Sequence, residues 1–181
     1  ERAFQDLHHK WLNRLGLVNP LRQVFALWPI LDASTHRCLL MKARSKKDVG
    51  AELYVASKEP ELSERERRTI AIQLTPELLS HSQNFLDFLR HELLHVADML
   101  DARFGYDAWA LGDEGSARLR LARDRYRAVW DAWVDGRLAR LGRASSGVRA
   151  ERLGDFARAF ATLGEATEPA FERFFGAERL R

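Results

Sequence analysis

The 181-residue sequence lacks several features that would place it in a broad class of protein. Its one cysteine, Cys38, excludes an internal disulfide and a cysteine-rich zinc site. No run approaches the roughly 18 apolar residues of a membrane span, and the first residues lack the basic and apolar pattern of a secretory signal. Neither an internal repeat nor a low-complexity tract occurs. We therefore expect no membrane contact and a reducing, cytoplasmic location.

An excess of charge of one sign is also missing. The 29 basic and 26 acidic residues leave a formal net charge of +3, with a pI near 9.3. The arginines are spread over many segments rather than gathered in one block, which gives little reason to expect a nucleic-acid partner. The length fits one globular domain, residues 1–181, with a sizeable core. The oligomeric state stays open.

The most informative stretch, residues 89–96, contains the pattern His-Glu-x-x-His, formed by His91, Glu92 and His95. On a helix the two histidines stand one turn apart on the same face, and the glutamate lies about 100° round from the first of them. Two imidazoles placed in this way can grip one metal ion, and the carboxylate can reach a water molecule beside it. The spacing therefore suggests zinc-assisted hydrolysis.

The setting of this pattern strengthens that interpretation. Residues 85–100 carry apolar side chains around most of the helix and include no glycine or proline, which predicts a buried central helix. Two histidines and a glutamate are costly inside a core unless something satisfies them, and a metal ion does so. The alternative is a hydrogen-bonded cluster of the same side chains without a metal.

Residues 88–97 resemble the active-site helix of the zincin metallopeptidases. That family places uncharged residues between the glutamate and the second histidine and an apolar residue after it, as Leu93, Leu94 and Val96 do here. The resemblance implies an α+β fold, mostly helical, with a small sheet beside the active-site helix. It also implies that His91 and His95 bind Zn²⁺.

By the same resemblance, Glu92 is the general base of a zinc metallopeptidase, a hydrolase that cleaves a peptide or protein substrate. The alternative function is a catalytically silent zinc-binding protein, with a regulatory or interaction role, built on the same scaffold.

A third metal ligand is expected, and Asp131 is the first candidate. In gluzincin-type members a second helix supplies a carboxylate ligand, and an acid four residues later hydrogen-bonds a zinc-bound histidine; by analogy these are Asp131 and Asp135. This sequence departs from that pattern in having Asp rather than Glu, and in a long gap of 36 residues after His95. The alternative is that both acids form helix salt bridges with arginines such as Arg127 or Arg137.

Three further acids compete for this role. Asp101 stands six residues after the second histidine, where metzincins carry a ligand, but the glycine that those proteins need for a turn is replaced by Asp98. Asp98 itself suits a supporting acid better than a ligand. Glu114 stands 19 residues after the second histidine, in a loop between two glycines. A site without a third protein ligand is the remaining possibility.

The rest of the chain is expected to frame this site. Residues 1–80 hold an N-terminal helix (2–15) and a small sheet, residues 81–143 the metal-site helices, and residues 148–181 the C-terminal helices. Short apolar runs within residues 22–56 are ambiguous between strand and buried helix. Residues 69–74 predict a strand, which we expect to be the edge strand that pairs with an extended substrate. The remaining predicted elements are a loop at 45–50 and helices at 76–80, 116–141, 148–163 and 167–175.

Overall fold

The computed structural model describes Lys10 and residues 12–56, 61–107 and 116–178. These residues are mostly helical and include one three-stranded sheet, which confirms the α+β class. The chain divides into two compact units, Glu1–Tyr106 and Asp107–Arg181, and each is described by itself. The expectation of a single domain stays a prediction.

The first unit carries the sheet and the central helix. Residues 12–14 are helical and lead to a left-handed turn at Gly16, where the predicted N-terminal helix was expected to end. Lys10 is also helical, and the other positions of that predicted helix, residues 2–9 and 11, lie outside the described residues. The elements that follow are α1 (Val18–Leu27), α2 (Ile30–Ser34), β1 (Arg37–Lys42), β2 (Gly50–Val55), β3 (Arg68–Leu74), α3 (Pro76–Leu79) and α4 (Ser82–Leu100).

The ambiguous apolar runs resolve into one helix and two strands. Residues 24–27 belong to α1, whereas residues 38–42 and 53–55 belong to β1 and β2. The segment predicted as a loop between these strands contains a short 3-10 turn, Lys46–Asp48, capped by the Ser45 side chain.

The strand order in the sheet is β1-β3-β2, with β1 parallel and β2 antiparallel to β3. The prediction that residues 69–74 form an edge strand is therefore wrong, because β3 is the central strand and is paired on both sides. The physical reason is visible in its composition: Ile70, Ala71, Ile72 and Leu74 are all buried, and a nearly continuous apolar run is typical of a strand covered on both faces. Of the described strands, β1 and β2 form the edges.

Helix α4 occupies the core of this unit, as predicted. Leu89, Leu93 and Val96 are fully buried, and the helix packs against α1, α2 and β2. It ends at Leu100, because Asp101 already has an extended conformation and caps the helix end. The central helix is thus held on several sides by its own unit.

The second unit is a group of helices, α5 (Ala117–Arg140), α6 (Val148–Ala159) and α7 (Thr167–Phe175). The Ser116 hydroxyl caps α5 by accepting a hydrogen bond from the Leu119 amide. Helix α6 stops four residues short of its predicted end, since Phe160 leaves the helical conformation and a 3-10 segment, Ala161–Ala166, follows. Phe156 and Phe171 are buried against Ala132 of α5 and form the core of this unit.

Helices α5 and α7 approach most closely at Gly136. A Cβ atom on this residue would lie 1.9 Å from the carbonyl oxygen of Phe175. The end of α7 is also bonded to α5 by side chains: Trp133 Nε1 donates to the Ala177 carbonyl at 3.1 Å, and Arg140 donates to the Phe175 and Ala177 carbonyls at 2.6 Å. The helix that carries Asp131 and Asp135 is therefore fixed along its C-terminal half.

Within the parts of the chain that the structure describes, no helix combines the length and the apolar character that crossing a membrane requires.

Candidate metal centre

The two histidines of α4 face each other across one helical turn. His91 Nε2 and His95 Nε2 are 3.2 Å apart, and the ring planes meet at 71° with their centroids 4.8 Å apart. His95 is buried, with 9% of its surface exposed, and His91 is half-buried. The two nitrogens therefore converge on a common point at the edge of the core.

This separation fits a shared metal ion. Two nitrogens that each lie about 2.05 Å from a tetrahedral zinc ion are about 3.3 Å apart. The observed 3.2 Å also suits a hydrogen bond between one protonated and one unprotonated nitrogen. Both arrangements bring the two Nε2 atoms close together, and neutral imidazole nitrogens are ligands that zinc prefers. The separation of the pair is therefore compatible with one shared ion.

Glu92 reaches from the same helix to the edge strand β2. Its Oε2 atom accepts a hydrogen bond from the Ala51 amide at 3.0 Å. This amide has one hydrogen, so it does not donate to β3 and points to the outer edge of β2. Gly50 allows the approach, because a Cβ atom there would lie 3.3 Å from Oε2. Sequence reasoning missed this contact, although a glycine in a strand is a known sign of close approach.

The predicted acids Asp131 and Asp135 lie one turn apart on α5, in the second unit. Asp131 is half-buried and Asp135 is buried, with 3% of its surface exposed. Asp135 Oδ2 accepts a hydrogen bond from Arg152 Nε at 2.6 Å, and Arg152 Nη1 donates to Asp155 Oδ2 at 2.9 Å. Asp135 thus has an ion-pair partner on α6, Arg152, which was not among the arginines named above. The role of Asp135 toward a histidine stays a prediction.

The charge of Arg152 interacts strongly with those of Asp135 and Asp131. Burial by itself would lower the pKa of Arg152. The hydrogen bond to Asp135, together with the negative charges of Asp135 and Asp131, raises that pKa above its ordinary value. Arg152 therefore stays cationic beside the two carboxylates and offsets part of their negative charge.

Of the other candidate ligands, Asp101 is engaged elsewhere. Both of its carboxylate oxygens accept hydrogen bonds from Arg103, which lower the pKa of the Asp101 carboxyl. Asp98 is buried on α4, with 6% of its surface exposed. Glu114 lies outside the described residues, so its candidacy is not tested.

No protein-family model matches the chain, and no curated protein or solved structure matches it either. The resemblance to zincins therefore stays a prediction that depends on residues 88–97.

Proposed function

We propose that the protein is a zinc-dependent metallopeptidase of the zincin type. The observation that carries this proposal is the convergence of His91 Nε2 and His95 Nε2, 3.2 Å apart, beside a carboxylate whose orientation is fixed from a second element. A hydrogen-bonded histidine pair alone would not need Glu92 to be held next to it by a strand.

Asp131 is our choice for the third ligand. In its support, His91, His95 and Asp131 each offer one ligand atom of a type that zinc binds. Two histidines and a carboxylate are a known ligand set of catalytic zinc, which leaves one position open. Asp98 is the reserve candidate, because it is buried on α4, whereas Asp101 is bound to Arg103.

When bound, zinc would supply a Lewis acid that polarises a carbonyl group and makes a neighbouring water molecule more acidic. Glu92 would take a proton from the attacking water and pass it to the leaving amine. The Ala51 amide holds Oε2, so Oε1 is the oxygen that we assign to proton transfer. This tether keeps the carboxylate in one orientation before a substrate arrives, which is what efficient proton transfer requires.

The substrate strand has to be reassigned from β3 to β2. The outer edge of β2 faces Glu92 through Ala51, and residue 53 presents its backbone groups to the same edge, since orientation alternates along a strand. An extended peptide that pairs with β2 would therefore pass beside the general base.

The direct test is Glu92→Gln, which keeps the size and the hydrogen-bond acceptor but removes the base. We expect zinc content to be retained and hydrolysis of a fluorogenic peptide library to fall about 10²–10⁴-fold. Glu77→Gln, at an exposed glutamate of α3, is the matched control and should keep full activity. Full activity in the Glu92 variant would exclude this mechanism. Stoichiometric zinc without cleavage of any library peptide would favour the silent zinc-binding protein instead.

A further inference from the structure

The cluster around Asp135 contains a cation that the proposed chemistry does not use. Arg152 extends from α6 to α5 and donates its Nε hydrogen to Asp135 Oδ2 at 2.6 Å. The pair is well shielded from water, with 19% of the arginine side chain and 4% of the aspartate side chain exposed. A charge-assisted hydrogen bond of this kind fixes the position of both groups more firmly than a surface ion pair does.

Arg152 is itself held from two directions. Its Nη1 atom donates to Asp155 Oδ2 at 2.9 Å, on the next turn of α6. One turn along the same helix, Phe156 is 1% exposed and packs against Phe171 of α7 in the core of the second unit. The guanidinium therefore projects from a helix that cannot shift without opening this core, and it presents a fixed donor to α5.

The neighbouring arginines of α6 do not share this arrangement. Arg158 pairs with Asp155 and keeps 76% of its side chain exposed. Arg149 pairs with Glu168 and Glu172 of the α7 region, with 48% of its side chain exposed. Within the described part of the second unit, Arg152 is the arginine of α6 whose ion pair reaches the acids of α5.

We propose that Arg152 is a positioning residue of the metal centre. It touches Asp135 rather than the metal, and it holds that carboxylate, one turn from the ligand Asp131, in a single orientation on α5. This inference depends on the proposed zinc site. It adds a residue that the His-Glu-x-x-His pattern does not predict, and it assigns the α6 helix a part in metal binding.

Two effects of Arg152 on zinc affinity have opposite signs. A positive charge near the site repels a dication, so its loss alone would tighten binding. Its hydrogen bond fixes the Asp135 carboxylate, one turn from the ligand Asp131 on α5. Loss of such a supporting partner typically weakens metal affinity about 10–100-fold. We expect the second effect to dominate, because the hydrogen bond to Asp135 is direct and buried, whereas the repulsion between Arg152 and the dication acts through space.

The experiment measures the zinc dissociation constant by chelator competition for wild type, Arg152→Met and Arg152→Lys. Arg149→Met is the control, since it removes an arginine from the same helix whose partners, Glu168 and Glu172, are not partners of Arg152. Urea unfolding of the metal-free proteins is measured in parallel, so that affinities are compared only where each protein is folded. Methionine keeps the length of the side chain and removes every donor. Lysine keeps the charge with one donor nitrogen.

We expect the Kd for zinc to rise about 10-fold or more in Arg152→Met, to rise less in Arg152→Lys, and to stay at the wild-type value in Arg149→Met. A folded Arg152→Met protein with an unchanged or tighter Kd would overturn the inference and leave the zinc site standing. If Arg152→Met does not fold, Arg152→Lys tests the inference in its place, because an unchanged Kd for zinc in that variant would also contradict a positioning role for Arg152. A wild-type protein with no affinity for zinc would refute the metal centre and this inference together.

Discussion

The close contact of α5 and α7 at Gly136 makes a prediction whose size can be worked out from the structure. An alanine Cβ would lie 1.9 Å from the Phe175 carbonyl oxygen, 2.7 Å from its carbonyl carbon and 3.0 Å from its Cα. All three are backbone atoms, so no side chain can rotate away. The end of α7 would have to move by about 1 Å, which is the situation in which overpacking costs about 1–3 kcal/mol.

That movement also disturbs the hydrogen bonds that Trp133 and Arg140 donate to the end of α7. Each such bond contributes about 0.5–1.5 kcal/mol, while the better helix propensity of alanine returns about 1 kcal/mol. The net expectation for Gly136→Ala is a loss of about 3 kcal/mol in the free energy of unfolding.

Gly154→Ala on α6 is the matched control with the opposite sign. A Cβ atom there meets only Arg158 Nη1, at 3.7 Å, which is ordinary contact. Alanine should therefore stabilise the protein by about 0.5–1 kcal/mol. Urea unfolding followed by circular dichroism measures both changes by linear extrapolation. A Gly136→Ala protein as stable as wild type would refute the packing of α7 on α5 described above.

Two further predictions concern the first unit. Gly50→Ala places a Cβ atom 3.3 Å from Glu92 Oε2, so the carboxylate must shift by a few tenths of an ångström. Peptide hydrolysis should therefore fall about 10-fold with zinc content unchanged. Undiminished hydrolysis would count against the role of this contact. Cys38 is exposed to solvent beside an apolar groove, and desolvation by its surroundings raises the pKa of its thiol from 9.0 to about 12. The raised pKa favours the neutral thiol, so alkylation by iodoacetamide at pH 8 should be slower in the folded protein than in urea, and equal rates would contradict this prediction.

The long helices α4 and α5 were predictable from local signals. Helix α4 carries an uninterrupted apolar pattern of 3.6-residue period, and α5 is preceded by Ser116, a residue type that favours helix N-caps. The central position of β3 in the sheet was not predictable in the same way. Its apolar composition was evident, but whether a strand is central depends on the strands that pair with it, and these are set by tertiary structure.

The candidate site was likewise only partly predictable from the sequence. His91, Glu92 and His95 are neighbours in one helix, so their geometry follows from helical spacing. The Ala51 amide that orients Glu92 comes from a strand 41 residues earlier, and Arg152 reaches Asp135 from a different helix. Long-range partners of this kind leave no periodic trace in a single sequence, which is why these two contacts were missed while the His-Glu-x-x-His pattern was evident.

The zinc content of the purified protein tests the central claim most directly. Metal analysis of wild type, His91→Ala and Asp131→Ala, with Asp124→Ala at an exposed position of α5 as control, should be made after dialysis against a weak chelator. We predict one zinc ion per chain in wild type and in the control, none in His91→Ala, and little or none in Asp131→Ala. Wild-type protein without zinc, or a His91→Ala protein that keeps it, would contradict the proposed metal centre.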